Sequence, residues 1–71
     1  MMRSFYSTHE HIRLFIFGTS EGWLAAIYDL QQRAWIDKGE WIHGTLREAK
    51  ADLREKAMAL LGTNLPDLNW H

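Results

Sequence analysis

Three strand-like segments of this chain carry apolar residues on both faces, and only one amphipathic helix follows them. Side chains alternate between the two faces of a strand, so neither face of a sheet built from these segments is polar. One helix covers one face, and the other would expose an apolar patch on the order of several hundred Å², which is uncommon on a soluble monomer. The sequence therefore predicts that another molecule covers the far face, and the simplest candidate is a second copy in a homodimer.

The predicted fold class is α+β: a three-stranded antiparallel meander followed by one C-terminal helix, in the order β-β-β-α. The first two strands, residues 11–17 and 23–30, are separated by Gly18-Thr19-Ser20-Glu21-Gly22, which has the composition of a hairpin loop. The third segment, residues 33–43, is either one long strand with a bulge at Lys38-Gly39 or two short strands around an Asp37-Lys38-Gly39-Glu40 turn. Because all segments are apolar on both sides, either sheet face could contact the helix.

The helix is specified at both ends. Thr45 and Glu48 form the pattern of a capping box, and Gly62 is the residue that a helix C-terminus prefers. Apolar residues recur between them at helical spacing: Leu46, Ala49, Leu53, Ala57, Leu60 and Leu61. The spacing predicts a helix over about residues 46–61.

The composition predicts one small domain over residues 1–71, with an ordered core at about 11–62, an N-terminal arm at 1–8 and a C-terminal tail at 63–71. The chain has no cysteine, so neither disulfides nor a Cys-based metal site can stabilise so short a fold. Four Trp, three Phe and two Tyr instead predict a dense aromatic core or a subunit interface. The absence of cysteine, of a signal peptide and of a long apolar run predicts a cytoplasmic location without a membrane partner.

One resemblance extends over about residues 11–62. The string Gly22-Trp23-Leu24-Ala25-Ala26-Ile27-Tyr28-Asp29-Leu30, and then Gly44-Thr45-Leu46-Arg47-Glu48-Ala49 at the start of an Ala/Leu-rich helix, resembles the HicB-like antitoxin family. The resemblance implies a non-catalytic protein-interaction module that self-associates and neutralises a toxin-like protein partner.

A second resemblance concerns DNA binding. Trp23-Leu24-Ala25-Ala26-Ile27, Arg33-Ala34-Trp35-Ile36 and the start of the helix at residues 45–49 are similar to AP2-type domains, which use a three-stranded sheet and one helix. This resemblance implies a small domain that reads nucleic acid through its sheet. The net charge of −1 argues against it, because domains that bind phosphates usually carry a basic excess.

The two hypotheses select different surface residues. For protein interaction and self-association, the candidates are Phe15, Phe17, Trp23, Trp35 and Trp41. For the nucleic-acid alternative, the candidates are Arg13, Arg33, Trp23 and Trp35. A groove for single-stranded nucleic acid needs cationic side chains besides stacking rings, so a core or interface role of the tryptophans is favoured.

No catalytic residue, cofactor or metal ligand is predicted. His9 and His11 form an i, i+2 pair that His43 could join, but zinc needs three or four ligands in tetrahedral geometry. Thr19 and Ser20 are better explained by hairpin chemistry than by a nucleophile with a positioned base. The protein is accordingly predicted not to be an enzyme.

Overall fold

A computed structural model describes residues 3–39 and 41–71 of the chain. They form an α+β fold in which one antiparallel sheet is followed by one helix. The elements in chain order are β1 Ser4–His9, β2 Ile12–Gly18, β3 Trp23–Asp29, β4 Ala34–Asp37, β5 Ile42–His43 and α1 Leu46–Leu61. The class and the position of the helix agree with the prediction, whereas the sheet contains more strands than the predicted three.

The strand that was not predicted as a separate element is β1, whose residues 4–8 fall in the expected N-terminal arm at 1–8. It pairs antiparallel with β2, from Ser4 opposite Phe17 to His9 opposite Ile12. A two-residue turn joins the two strands, and Glu10 adopts a φ of 54° there. Four of the six residues of β1 are polar, so its strand conformation depends on pairing with β2 more than on an apolar pattern of its own.

The third predicted segment is an interrupted strand. Both β4 and β5 pair antiparallel with β3, along the edge that β2 does not occupy. The two strands therefore run in the same direction, as in the predicted alternative of one long strand with a bulge. Gly39, in the interruption, has a φ of +80°, and a Cβ atom there would lie 2.9 Å from the carbonyl oxygen of Ala25. Only glycine accepts both conditions without strain. Glu40, part of the alternative turn, lies outside the described residues.

The helix α1 has the predicted bounds. The Thr45 hydroxyl accepts a hydrogen bond from the backbone N–H of Glu48 at 3.1 Å. Gly62 adopts the left-handed conformation with a φ of 67°, and its N–H donates to the carbonyl of Met58. Local chemistry therefore sets both ends of the helix.

The core lies between α1 and one face of the sheet. Ile12, Leu14 and Ile16 of β2 are fully buried there, so the odd-numbered residues of β2 face away from the helix. The buried cluster consists of Ile12, Leu14, Ile16, Ala25, Ile27, Ala49, Leu53, Ala57 and Leu65. The helix lies over β2, β3 and β5, and β4 extends beyond this cover.

The C-terminal tail folds back over the core. Leu65 is buried, and Leu68 and Trp70 pack against the core cluster. The guanidinium group of Arg54 donates hydrogen bonds to the backbone carbonyls of Leu65 and Pro66. The tail therefore contributes to the core besides residues 11–62.

The end of the tail closes one edge of the sheet. The backbone N–H of Tyr6 donates to the carbonyl of His71 at 3.1 Å, and the N–H of His71 donates to the carbonyl of Tyr6 at 2.9 Å. These are the reciprocal bonds of an antiparallel pair. The outer edge of β1 is therefore paired within the chain at Tyr6.

Candidate interaction surface

The sheet face opposite the helix carries a continuous group of aromatic rings. Antiparallel pairing places Tyr6 opposite Phe15 and Tyr28 opposite Trp35, and directly opposed residues point to the same side. Phe17 follows Phe15 by two residues and shares its side. We call this surface the aromatic face and define it by Tyr6, Phe15, Phe17, Tyr28 and Trp35.

Neighbouring rings of the aromatic face support one another. The ring centroid of Phe15 lies 6.4 Å from that of Tyr6 and 5.8 Å from that of Phe17. The Trp35 ring lies 5.5 Å from Phe15 and 5.0 Å from Tyr28. Such offset or tilted pairs stabilise one another by about 0.5–1.5 kcal/mol beyond their area. The face is therefore held together by its own side chains.

The aromatic face is open to solvent. The exposed fraction is 42% for Tyr6, 38% for Phe17 and 44% for Trp35. The tail reaches only its rim, where the His71 ring lies 5.4 Å from the Tyr6 ring. Within the part of the chain that the structure describes, no element covers this face.

A recess lies in the middle of the aromatic face. It has a volume of about 360 Å³ and is lined by Phe17, Ala26, Trp35 and Lys38. Ala26 is buried, and its small side chain leaves room between the larger rings. The volume is at the lower end of the roughly 300–1,000 Å³ range of ligand pockets, so one large side chain or one nucleobase would fit in it.

The charge on this face is positive. Arg13 lies over the Tyr6 ring, with 5.1 Å from the guanidinium carbon to the ring centroid, and its Nε donates to the Thr8 hydroxyl at 2.8 Å. It is the one charged residue among the described strand residues that point to this side. Lys38 adds a second cation at the recess. The face therefore favours a partner that brings negative charge.

The structure brings three of the five predicted interaction residues together, namely Phe15, Phe17 and Trp35. Trp41 lies at the edge formed by β4 and β5 and is 72% exposed. Trp23 lies on the opposite side of the sheet, where it packs against the core and its ring is 6.0 Å from that of Phe5.

The residues of the nucleic-acid alternative are also divided. Arg13 and Trp35 share the aromatic face, since Arg13 lies opposite Tyr28 and Tyr28 contacts Trp35. Arg33 is exposed in the turn before β4 with a φ of 53°, and Trp23 packs on the helix side. Tyr6 and Tyr28 are not among the residues predicted from the sequence, although alternation along the strand places Tyr28 on the face opposite Ile27.

The free edge of β4 borders a second depression. A groove of about 540 Å³ between β4 and the C-terminal half of α1 is lined by Ile27, Trp35, Ile36, Asp37, Lys38, Lys56, Ala59 and Leu60. Leu60 was predicted to lie on the buried stripe of the helix but is half exposed. The helix packs against β2, β3 and β5 but not against β4, so Leu60 borders the open groove instead of the core.

A polar cluster joins the helix to the interrupted strand. Lys56 Nζ lies 3.1 Å from a carboxylate oxygen of Asp37 and 3.1 Å from one of Asp52, and Asp52 also lies 3.2 Å from Nε2 of His43. The hydrogen bond from the Gly39 N–H, together with Lys56, lowers the pKa of Asp37 against the opposing effect of burial. Burial alone would lower the pKa of Lys56, but its two carboxylate partners raise it.

Replacing Asp37 with asparagine is expected to lower the free energy of unfolding near neutral pH by about 1 kcal/mol, because the charged hydrogen bond to Lys56 is lost. The folded state lowers the Asp37 pKa, so its contribution is present above the ordinary value of 3.8 and is lost as the pH falls through the folded-state pKa. The difference between the two proteins should therefore shrink in acid. Urea unfolding of both proteins, at neutral pH and at a pH well below 3.8, measures this difference in the free energy of unfolding.

Asp67→Asn, a change at an exposed tail position, is the matched control and should leave the free energy of unfolding nearly unchanged. A difference between Asp37→Asn and the parent protein that stays constant into acid would contradict the assignment of the effect to the charged carboxylate.

Residues 3–39 and 41–71 contain no group of three or more His, Asp or Glu side chains arranged to hold a metal ion. His9 ends β1 and His11 lies in the following turn, so the two do not lie on one strand as the spacing implied. No helix of the described chain is long and apolar enough to cross a membrane.

Comparisons of the chain with protein-family models, with curated proteins and with solved structures find no match. The functional assignment therefore depends on the physical properties of the aromatic face and of the β4 edge.

Proposed function

We propose that this protein is a non-catalytic, HicB-like protein-interaction module that self-associates and binds a toxin-like protein through its aromatic face. The observation that carries the proposal is the uncovered group of five contacting rings on the sheet side away from the helix. Exposed apolar surfaces of this kind mark interaction sites. Aromatic residues and arginine are the types most enriched at the energetic centres of protein interfaces.

The polar side chains near the turns support binding rather than catalysis. Asp29 accepts hydrogen bonds from the backbone N–H groups of Gln31 and Gln32. The Thr19 hydroxyl accepts from the N–H groups of Glu21 and Gly22. These groups stabilise turns, and a catalytic base or nucleophile would need to be free to meet a substrate.

The chemistry of the aromatic face defines its partner. Arg13 and Lys38 add positive charge at the face and its recess, so a complementary protein surface would present a large apolar side chain for the recess with acidic residues around it. A toxin whose surface is basic throughout would be repelled by this face. A toxin with an acidic patch would be complementary to it.

Partner binding is tested by co-expressing this protein with the product of a small gene adjacent to its own and isolating the complex. A complex is expected, and Phe17→Ser should weaken it about tenfold or more, because a ring at the recess is lost. Leu30→Ser is the matched control, because Leu30 is exposed to a similar degree, 36% against 38%, but lies in the turn after β3 and does not line the recess. Equal weakening by both variants would contradict binding through this face.

Self-association is tested by sedimentation equilibrium at roughly tens of micromolar protein, where we expect a mass above the 8.4 kDa of one chain that rises with concentration. A compact, folded monomer throughout this range would overturn the self-associating part of the proposal.

The alternative function is that of a small nucleic-acid-binding domain that reads nucleic acid through the same sheet face. The observation that favours it is the position of Arg13 beside Tyr28 and Trp35, since stacking rings next to a cation are how such proteins hold bases. The net charge of −1 opposes it. Quenching of tryptophan fluorescence by an oligonucleotide, weakening as salt is raised, would favour this alternative over the protein partner.

A further inference from the structure

Arg13 is held in one position on the aromatic face by two neighbours. Its Nε donates a hydrogen bond to the Thr8 hydroxyl at 2.8 Å, and Thr8 lies directly opposite Arg13 on β1. Its guanidinium carbon lies 5.1 Å from the centroid of the Tyr6 ring. A guanidinium group that is stacked on a ring and hydrogen-bonded at one side loses less conformational freedom on binding a ligand than a freely moving side chain does.

The remaining donors of Arg13 have no acceptor in the described chain. The hydrogen bond to Thr8 uses the N–H on Nε and leaves the N–H groups of the two terminal nitrogens. The ion pairs among the described residues join Lys56 and His43 to Asp37 and Asp52, and none of them includes Arg13. The terminal nitrogens of the guanidinium group are therefore available to a ligand.

These terminal N–H groups match a carboxylate. One N–H on each nitrogen can donate to one of the two carboxylate oxygens, in the bidentate arrangement that arginine and carboxylates commonly adopt. No acidic side chain among the described strand residues points to this face, so the carboxylate must come from another molecule. A nucleic-acid strand would bring a continuous row of phosphates instead, and the net charge of −1 opposes its binding.

The recess lies at a defined distance from this cation. Tyr6, against which the guanidinium group stacks, is on β1, and Ala26, at the recess, is on β3, with Phe15 of β2 between them. Neighbouring strands are about 4.8 Å apart, so the two positions are about 10 Å apart. No amino-acid side chain combines a large apolar group with a carboxylate over this distance. The partner must therefore bring the two groups on separate residues.

We propose that Arg13 binds a carboxylate of the protein partner, while a large apolar side chain of the same partner occupies the recess about 10 Å away. In this arrangement Arg13 makes the contact, and Thr8 and Tyr6 are positioning residues that orient its guanidinium group. The inference depends on the proposed function. It adds the residue that anchors the acidic group, and the distance of that group from the apolar one.

A random copolymer of glutamate and tyrosine is a suitable probe, because it brings carboxylates and rings at many spacings. Fluorescence anisotropy of the labelled copolymer measures its dissociation constant with the full chain. We expect binding that Arg13→Gln weakens about tenfold, since the bidentate pair is lost. Arg47→Gln is the control, because it removes the same charge at an exposed position on α1, and it should change the dissociation constant by less than about twofold.

Two substitutions of Thr8 test its positioning role. Valine has the shape of threonine without the hydroxyl, so Thr8→Val should bind the copolymer about threefold more weakly than the parent protein. Thr8→Ser keeps the hydroxyl and should bind like the parent protein. Equal binding by the two variants would overturn the positioning role of Thr8.

The control variant and an oligonucleotide decide whether the site is specific, once circular dichroism shows that each variant is folded. Copolymer binding that Arg13→Gln and Arg47→Gln weaken equally, or that Arg13→Gln leaves unchanged, would overturn the proposal. Tighter binding of a thymidine oligonucleotide than of the copolymer, with loss of that binding in Arg13→Gln, would overturn the carboxylate in favour of a phosphate ligand.

The complex with the co-expressed gene product separates this inference from the proposed function. A protein that forms that complex but does not bind the copolymer would overturn the carboxylate site and leave the proposed function standing. A protein that binds the copolymer through Arg13 but forms no such complex would support the site and contradict the proposed function. Absence of both would overturn both.

Discussion

Replacing Leu53 with alanine is expected to lower the free energy of unfolding by about 3 kcal/mol. Leu53 is fully buried in the middle of the inward face of α1 and belongs to one cluster with Leu14 and Ile27. Alanine removes these contacts and leaves a cavity that the rigid sheet cannot close. A domain of 71 residues has a total stability of roughly 4–10 kcal/mol, so the substitution should remove from about a third to about three quarters of it.

Urea unfolding followed by tryptophan fluorescence measures this loss. Leu30→Ala is the control, since it removes the same atoms from an exposed leucine, and it should change the free energy of unfolding by less than about 0.5 kcal/mol. Equal losses in free energy of unfolding for the two substitutions would show that α1 does not pack on the sheet through Leu53.

Removing residues 64–71 is expected to cost at least about 3 kcal/mol, because burial of Leu65 alone is worth about that much. Leu68 and Trp70 pack against the same core. The deletion also leaves Arg54 without the two carbonyls to which it donates.

The same deletion opens the outer edge of β1, where Tyr6 loses its hydrogen bonds to His71. An unpaired edge promotes association with other chains, so the shortened protein should also aggregate at lower concentration than the full chain. Urea unfolding and light scattering measure the two effects. The full-length variant Leu65→Ala should reproduce most of the stability loss, and Asn69→Ala, at an exposed position, should reproduce none of it. An unchanged unfolding midpoint after the deletion would show that the tail is not part of the core.

The stability of the fold and the proposed interactions use different surfaces. The Leu53 cluster and the tail close the helix side of the sheet, whereas the aromatic face and the β4 edge remain free in the described chain. A substitution at Phe17 should consequently alter association at a smaller cost in the free energy of unfolding than Leu53→Ala. This separation makes the binding experiments interpretable, because loss of binding need not follow from loss of folding.

The sequence alone determined the elements whose signals are local. Thr45, Glu48 and Gly62 specified α1 to the residue, because capping depends on groups within one helical turn of each end. The hairpin between β2 and β3 and the irregularity at Gly39 were likewise predictable, since glycine marks turns and bulges. Period-two alternation correctly separated Phe15 and Phe17 from Ile12, Leu14 and Ile16.

The tertiary structure decided what depends on pairing between distant residues. Alternation defines two faces but does not select the buried one when both are apolar, so only packing of α1 assigned Ile16 to the core and Phe17 to solvent. Hairpin register placed Trp23 opposite Gly18, and so on the side of Ile16, away from the other predicted interaction residues. β1 is a strand because it pairs with β2. The tail packs against the sheet and helix because Leu65 is buried in the core. These outcomes follow from long-range hydrogen bonding and burial, which no local pattern encodes.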